Sequence, residues 1–279
     1  MADSAGTEGA GRVADVLLAF LDGPPSLGVS ALARELGLAK AVVHRILQTL
    51  VQRGLLIADG DTREYRLGPA TAALGARALR GSDLRLAALP VLRELHRATG
   101  ETTTVSGLVS LGRVYLDQVE STREIKMTVE LGRRFPLHAG SSSRVILAFL
   151  PPDQLQHVLA EPLEALTPVT ISGAEELRER IAAIRRTGYA HSLGERQEGA
   201  GSLAAPVFGV DGSVLGAISV CGPAARFDDG ALARYTPLLT AAADQVSRSL
   251  GWRGGLPRTP EDTGTTPAPA ARGEGRTTP

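Results

Sequence analysis

SALARELGLAKAVVHRILQTL, residues 30–50, reads as two short helices joined at Gly37, the second built to be met from outside. A small residue, Ala33, lets the first helix approach the second, and a glycine permits the left-handed turn between them. Along the second helix Val43, Ile46, Leu47 and Leu50 repeat at helical spacing and form an apolar stripe. The other face carries Lys40, Ala41, His44, Arg45, Gln48, Thr49 and Gln52, with cations and amides but no carboxylate. Such a face suits the major groove of DNA, where amides and guanidinium groups read base edges. The pattern alone fits a solvated amphipathic helix equally well, so the neighbouring sequence decides.

Outward from this stretch, residues 13–21 place Val13, Val16, Leu17, Phe20 and Leu21 at helical spacing before the stop Asp22-Gly23-Pro24-Pro25. Ser30 is the expected N-cap of the following helix. After Gly54, residues 55–58 and 64–67 read as two strands around Asp59-Gly60-Asp61. Three helices and a hairpin make a winged helix-turn-helix, with Arg63 and Arg66 on the wing, in reach of phosphate or the minor groove. This context favours DNA as the partner of the polar helix face.

The 279 residues suffice for two domains, with 43% hydrophobic and 22% charged residues as in ordinary globular proteins. Net charge is zero, so a DNA-binding surface must be local. One cysteine, Cys221, excludes an intrachain disulfide framework and a thiolate zinc cluster. No apolar run reaches membrane-spanning length and the first residues have no signal-peptide core; the expectation is a cytoplasmic protein. Residues 1–10 and 253–279 are small, polar or Pro/Gly-rich and read as disordered.

Between these ends, residues 11–68 form the DNA-binding unit. Residues 69–82, opened by Pro69, form a linker helix rich in alanine, whose small residues offer a dimer contact. Residues 83–252 alternate helices with hairpins. A helix interrupted at Pro90 is followed by strands at 103–108 and 114–119 and a short strand at 125–129. Helices follow at 141–150, 153–159 and 174–187. A hairpin at 203–210 and 214–220 then turns on Asp211-Gly212, and a closing helix spans 228–250. Helices around antiparallel strands make the class α+β.

With these pieces in place the chain resembles the IclR family of bacterial transcriptional regulators over roughly residues 11–252. The supporting motifs are GLAKAVVHRILQTLVQRGLL, YRLG at the end of the wing, FPLHAGSSSRVILAFLP, and GERQEGAGSLAAPVFGVDGSVLGAISVCGPAARF. The resemblance implies a GAF-like effector-binding domain with an antiparallel sheet, a small-molecule effector such as an organic acid, operator double-stranded DNA, and a homodimer or dimer of dimers. It implies no cofactor and no metal. By position, the effector would meet Gly140, Ser141 and Ser142 after the LHA sequence, Ser202 on one strand, and Ser219 and Cys221 on the next. The backbone N–H groups at the helix start after Gly140 would offer a carboxylate a further seat.

The sequence departs from the family pattern in three places. Ala41 and Val42 stand where a phosphate-binding hydroxyl is common. Three serines occupy the effector loop, and Ser192 or Leu193 replaces an acid. Other classes fare worse. The first alternative is a small-molecule-binding sensor acting without DNA, which a genomic pull-down enriching no operator would favour. A hydrolase using Ser141 with His138 or His191 lacks G-x-S-x-G, H-E-x-x-H and P-loop signatures. Cys221 on an apolar strand reads as inert, His138 as structural, and Glu195 and Glu198 as loop charges near Arg196.

Overall fold

The computed structural model describes residues 4–255. Helix α1 (Ser4–Leu18) passes into a 3-10 turn at Ala19–Leu21. It corrects the expectation of disorder for residues 4–10. An ion pair between Glu8 and Arg12, one helical turn apart, supports this end. Most of the tail expected to be disordered, residues 256–279, lies outside the described residues.

Strand β1 (Leu27–Gly28) leads directly into α2 (Val29–Glu35), and α3 (Lys40–Gln52) follows. Gly28, not Ser30, is the N-cap of α2. The reason is β1 itself, which pairs antiparallel with β3 (Glu64–Leu67) and releases the chain into the helix one residue later. With β2 (Leu56–Ala58) these strands form a sheet in the order β1-β3-β2. Gly37 has φ +63° and supplies the left-handed turn the sequence predicts. Val16, Leu32, Val43 and Leu47 are fully buried together and fix α1, α2 and α3 around one small core.

The second half begins on α4 (Pro69–Arg80) and α5 (Asp83–Thr99). The start of α4 is tied to the N-terminal unit by Ala70 N–H to the Gly54 carbonyl, 3.0 Å, and Thr71 Oγ1 to the Leu55 carbonyl, 2.7 Å. Its far side is open, with Leu74 62% exposed. Pro90 does not interrupt α5, which continues through it with the proline turned to solvent.

Six antiparallel strands make the main sheet: β4 (Thr102–Val109), β5 (Gly112–Val119), β6 (Arg134–Pro136), β7 (Ala190–Leu193), β8 (Ala200–Phe208) and β9 (Val214–Pro223). Their order is β6-β5-β4-β9-β8-β7. α5 and α9 (Asp229–Ser249) cover one face around Leu92, Leu203, Ile218 and Leu239. The other face holds α6 (Ser141–Ala148), α7 (Pro152–Ala160) and α8 (Ala174–Thr187) around Ile146, Leu147 and Leu177. Among the described residues no helix is long and apolar enough to cross a membrane.

The strand expected at 125–129 is instead a loop strapped to the sheet by side chains. Thr102 Oγ1 donates to the Met127 carbonyl at 2.6 Å, and Gln118 exchanges two hydrogen bonds with the Val129 backbone. These side chains replace the ladder that strand pairing would have supplied. Strands β6 and β7, unforeseen in the sequence, alternate in burial but are only three and four residues long, and β7 turns Ser192 rather than an apolar residue inward beside Ala190.

Two ion pairs contrast in weight. Arg134 grips Asp22 through both carboxylate oxygens and joins β6 to the turn after α1, but both side chains are about a third exposed. Glu101 is fully buried at the start of β4, and Arg226 meets it in two hydrogen bonds of 2.7 and 2.8 Å, with Arg123 also paired. Exposed pairs contribute up to about 1 kcal/mol, whereas charged hydrogen bonds to a buried carboxylate contribute more. Urea unfolding should therefore show Asp22→Ala within about 1 kcal/mol of the wild type and Glu101→Gln lower by about 2 kcal/mol. Equal effects would contradict this ranking.

Candidate nucleic-acid interface and small-molecule pocket

The exposed face of α3 carries Lys40, Ala41, His44, Arg45, Gln48 and Thr49, all turned to solvent as the periodicity predicts. Their side chains are not equally free. Thr49 Oγ1 donates to the Arg45 carbonyl at 3.0 Å, and Gln48 Nε2 donates to the Tyr65 hydroxyl of β3 at 3.3 Å. Gln48 thus links the helix to the wing. The side chains of Lys40, His44 and Arg45 have no hydrogen bond or ion pair among the described residues. Ala41 can offer only its backbone. At the start of α3 the Ala39 carbonyl takes the N–H groups of Val42 and Val43, and no side chain caps the helix. The N–H groups ahead of them face outward, as at any uncapped helix start.

Arg63 and Arg66 are exposed on the wing. The turn closes when the Asp59 carboxylate accepts the N–H groups of Asp61 and Thr62 at 2.9 and 3.1 Å. These hydrogen bonds also hold the Asp59 pKa below the usual carboxylate value. Arg63 then adopts φ +59°, a left-handed conformation that glycine or asparagine takes with less strain.

A second concave site lies where the start of α6 meets the main sheet. The register explains its composition. Ser192, Ser202 and Cys221 stand side by side on β7, β8 and β9, and Thr104 stands opposite Ser219. Residues two apart share a face, so Ser219 and Cys221 point together. Ser141 Oγ lies 2.7 Å from Ser202 Oγ, and Thr104 Oγ1 lies 2.7 Å from Ser219 Oγ. The structure therefore brings Gly140, Ser141, Ser142, Ser202, Ser219 and Cys221 to one cavity, with Met127 and Val129 of the strapped loop over it. About 30 Å³ of free space is enclosed.

The same cavity is lined by Arg113 and Tyr115, which sequence reasoning passed over, and by Ser192, Glu195 and Arg196, which it named without placing them at the site. Arg113 is 1% exposed. Its Nε donates to Ser143 Oγ and its Nη1 to Ser106 Oγ, each at 3.0 Å. Its guanidinium carbon sits 4.2 Å from the Tyr115 ring centre and 5.1 Å from that of Phe135. Burial pushes its pKa down, Tyr115 acts against this, and the nearby Arg196 charge pushes in the same direction as burial. An arginine nonetheless stays protonated at neutral pH. Arg113 stood next to an alternating strand in the sequence, but nothing there indicated that it turned inward.

Glu195 is not a loop charge paired with Arg196. Its carboxylate binds Arg144 at 2.7 Å and accepts the Gly140 N–H at 3.3 Å, so it occupies part of the helix start expected to hold an anionic ligand. Arg196 instead lies over the Phe135 ring, 5.0 Å from its centre. His138 is buried outside the cavity and its Nε2 lies 2.8 Å from the Glu164 carbonyl, a structural contact. Neither it nor His191 bonds Ser141.

The comparisons agree with this architecture. The family model for the C-terminal part of the bacterial transcriptional regulator IclR matches residues 76–248, and that for the IclR helix-turn-helix domain matches residues 9–60. The HTH-type transcriptional regulator BhcR of Paracoccus denitrificans is 34% identical over 254 residues, covering 90% of each chain. An IclR transcriptional regulator from Alicyclobacillus acidocaldarius superposes with a TM-score of 0.73 at 27% identity, covering 88% of this chain and 99% of that one. An IclR homologue from Microbacterium hydrocarbonoxydans, solved with 4-hydroxybenzoate, gives 0.66 at 28% identity, covering 87% and 98%.

Burial pushes the Cys221 thiol up to about 12, so it remains protonated and poorly nucleophilic in the folded protein. Alkylation by iodoacetamide at pH 8 should be slow in the native protein and fast after unfolding in guanidinium. Fast native labelling would contradict a buried, inert thiol.

Proposed function

The chain belongs to the IclR family of bacterial transcriptional regulators, and we propose that it reads operator DNA with α3 and its wing under control of a small molecule bound beneath α6. The observation that carries the DNA half is the acid-free face of α3, where the side chains of Lys40, His44 and Arg45 have no hydrogen bond or ion pair among the described residues, beside a wing bearing Arg63 and Arg66. Arg45 and His44 read base edges, and Lys40 and the wing arginines meet phosphates. Ala41 contributes its backbone N–H at the uncapped helix start, which offsets the hydroxyl missing there. Gln48 and Thr49 hold their neighbours in place and contact DNA from those positions. The strain at Arg63 supports the wing's role, since a residue kept in a costly conformation has a reason to be there.

For the small-molecule half, Gly140, Ser141, Ser142, Ser202, Ser219 and Cys221 form the effector site. The complex of the Microbacterium homologue with 4-hydroxybenzoate supports reading this cavity as a ligand site. We take the units as residues 11–68, 69–82 and 83–252, extended at the front by the turns of α1. The chain works as a cytoplasmic homodimer or dimer of dimers, with α4 and its exposed Leu74 at the contact between copies. It has no catalytic role: the thiol is buried, and Ser141 and Ser219 are paired with other hydroxyls rather than with an activating base.

A ligand alters DNA binding only through its different affinity for the competent and incompetent arrangements. The linker α4 is anchored to the wing unit at Gly54 and Leu55 and sets the spacing of two recognition helices against half-sites about one helical turn apart.

In gel-shift titration Arg45→Ala should lose sequence preference by about 1–3 kcal/mol while melting like the wild type. Arg63→Gly should weaken operator binding yet leave stability equal or higher by up to about 1 kcal/mol, because glycine relieves the left-handed strain. Unchanged binding in both variants would remove α3 and the wing from the interface. Inserting two glycines into α4 should uncouple ligand binding from operator affinity, and a retained response would count against the linker.

A further inference from the structure

Arg113 is a buried cation held only by neutral groups. Two of the five N–H donors of its guanidinium meet the hydroxyls of Ser106 and Ser143. Arg113 has no ion pair among the described residues, and it lines the cavity. The carboxylates that could neutralise it are already engaged. Glu195 serves Arg144 and Gly140, Asp117 pairs with Arg85 at 2.7 Å, and Glu101 pairs with Arg226 and Arg123. The second cation at this cavity, Arg196, also has no ion pair among the described residues. Burying a charge without an opposite charge is costly, and the cost is offset when an anion enters.

The helix start is a poor rival for that anion. The Glu195 carboxylate already accepts the Gly140 N–H, and Ser141 Oγ is engaged by Ser202. A second carboxylate placed there would stand beside the first, and like charges at that distance repel.

Resting on the reading of this cavity as the effector site, we infer that the effector is a carboxylate whose oxygens are received by the Arg113 guanidinium rather than by the N-terminus of α6. Arg196, stacked over Phe135, supplies the second positive charge at the rim. The guanidinium fork matches the two oxygens of a carboxylate. The hydroxyls of Ser142 and Ser219 line the rest of the seat and suit an acid bearing a further hydrogen-bonding group.

The test uses the full-length protein, with thermal shift and calorimetry against benzoate, 4-hydroxybenzoate, pyruvate and succinate, each beside its neutral amide. At least one acid should bind, and its amide should bind at least about tenfold more weakly. Arg113→Met should lower the affinity for that acid about ten- to a hundredfold. Its unliganded melting temperature should equal or exceed the wild type's, because an unpaired buried charge has been removed. Arg113→Lys should recover part of the binding. No binding by any acid overturns the assignment. So does a variant that melts lower and loses acid and amide equally, as a merely structural arginine would. Operator affinity measured on the same samples separates the two readings. Arg113-dependent acid binding that leaves operator affinity unchanged keeps the assignment and removes the regulatory role of the cavity. Release of the operator by a neutral amide, unaffected in Arg113→Met, does the reverse.

Discussion

A guanidinium sealed in a cage of hydroxyls and aromatic rings is the constraint on which the C-terminal half turns. Arg113 sits on β5, and its partners come from β4 (Ser106) and α6 (Ser143), with Tyr115 and Phe135 on its flanks. Keeping a charge there requires the sheet, the helix and β6 to hold their relative positions closely, because every lost hydrogen bond leaves a donor exposed to an apolar wall. An anion arriving there would change the balance of forces on three elements at once. Phe135 adjoins Arg134, whose grip on Asp22 reaches the N-terminal unit. The cavity and the DNA-binding unit are thus joined by a short run of contacts as well as by α4.

Charge placement separates the two functional surfaces of a chain whose formal net charge is zero. On α3 and the wing, cations stand free in water, where a polyanion would reach them and salt would screen them. At the cavity, Arg113 is dehydrated, and a single carboxylate beside it would be worth more than in water. Neither surface could be found from the total charge, because the acids are equal in number to the cations and those near the cavity are paired, as Glu195 is with Arg144.

The N-terminal fold was legible because its signals are local. The stripe of Val43, Ile46, Leu47 and Leu50, the left-handed Gly37 and the hairpin around Asp59 follow from spacing and turn chemistry within a few residues. In the cavity, Ser141, Ser219 and Cys221 were named by position from the family resemblance, and the alternation of one strand told only that the last two share a face. Arg113 was not. Whether an arginine at the start of a strand turns inward depends on hydroxyls supplied from seven residues before it and thirty after it. The loop at 125–129 misled for a related reason: it has the composition of a strand, but Thr102 and Gln118 claim its backbone groups. Glu195 was assigned to the wrong partner, since Arg144 lies far from it in sequence and only the fold brings them together.

A crystal structure of the protein with a bound carboxylate tests the central claim most directly. Both ligand oxygens should lie within about 3 Å of the Arg113 guanidinium nitrogens, with Glu195 still on Arg144 and Gly140. A carboxylate seated on the backbone N–H groups at the start of α6, with Arg113 touching only Ser106 and Ser143, would contradict it.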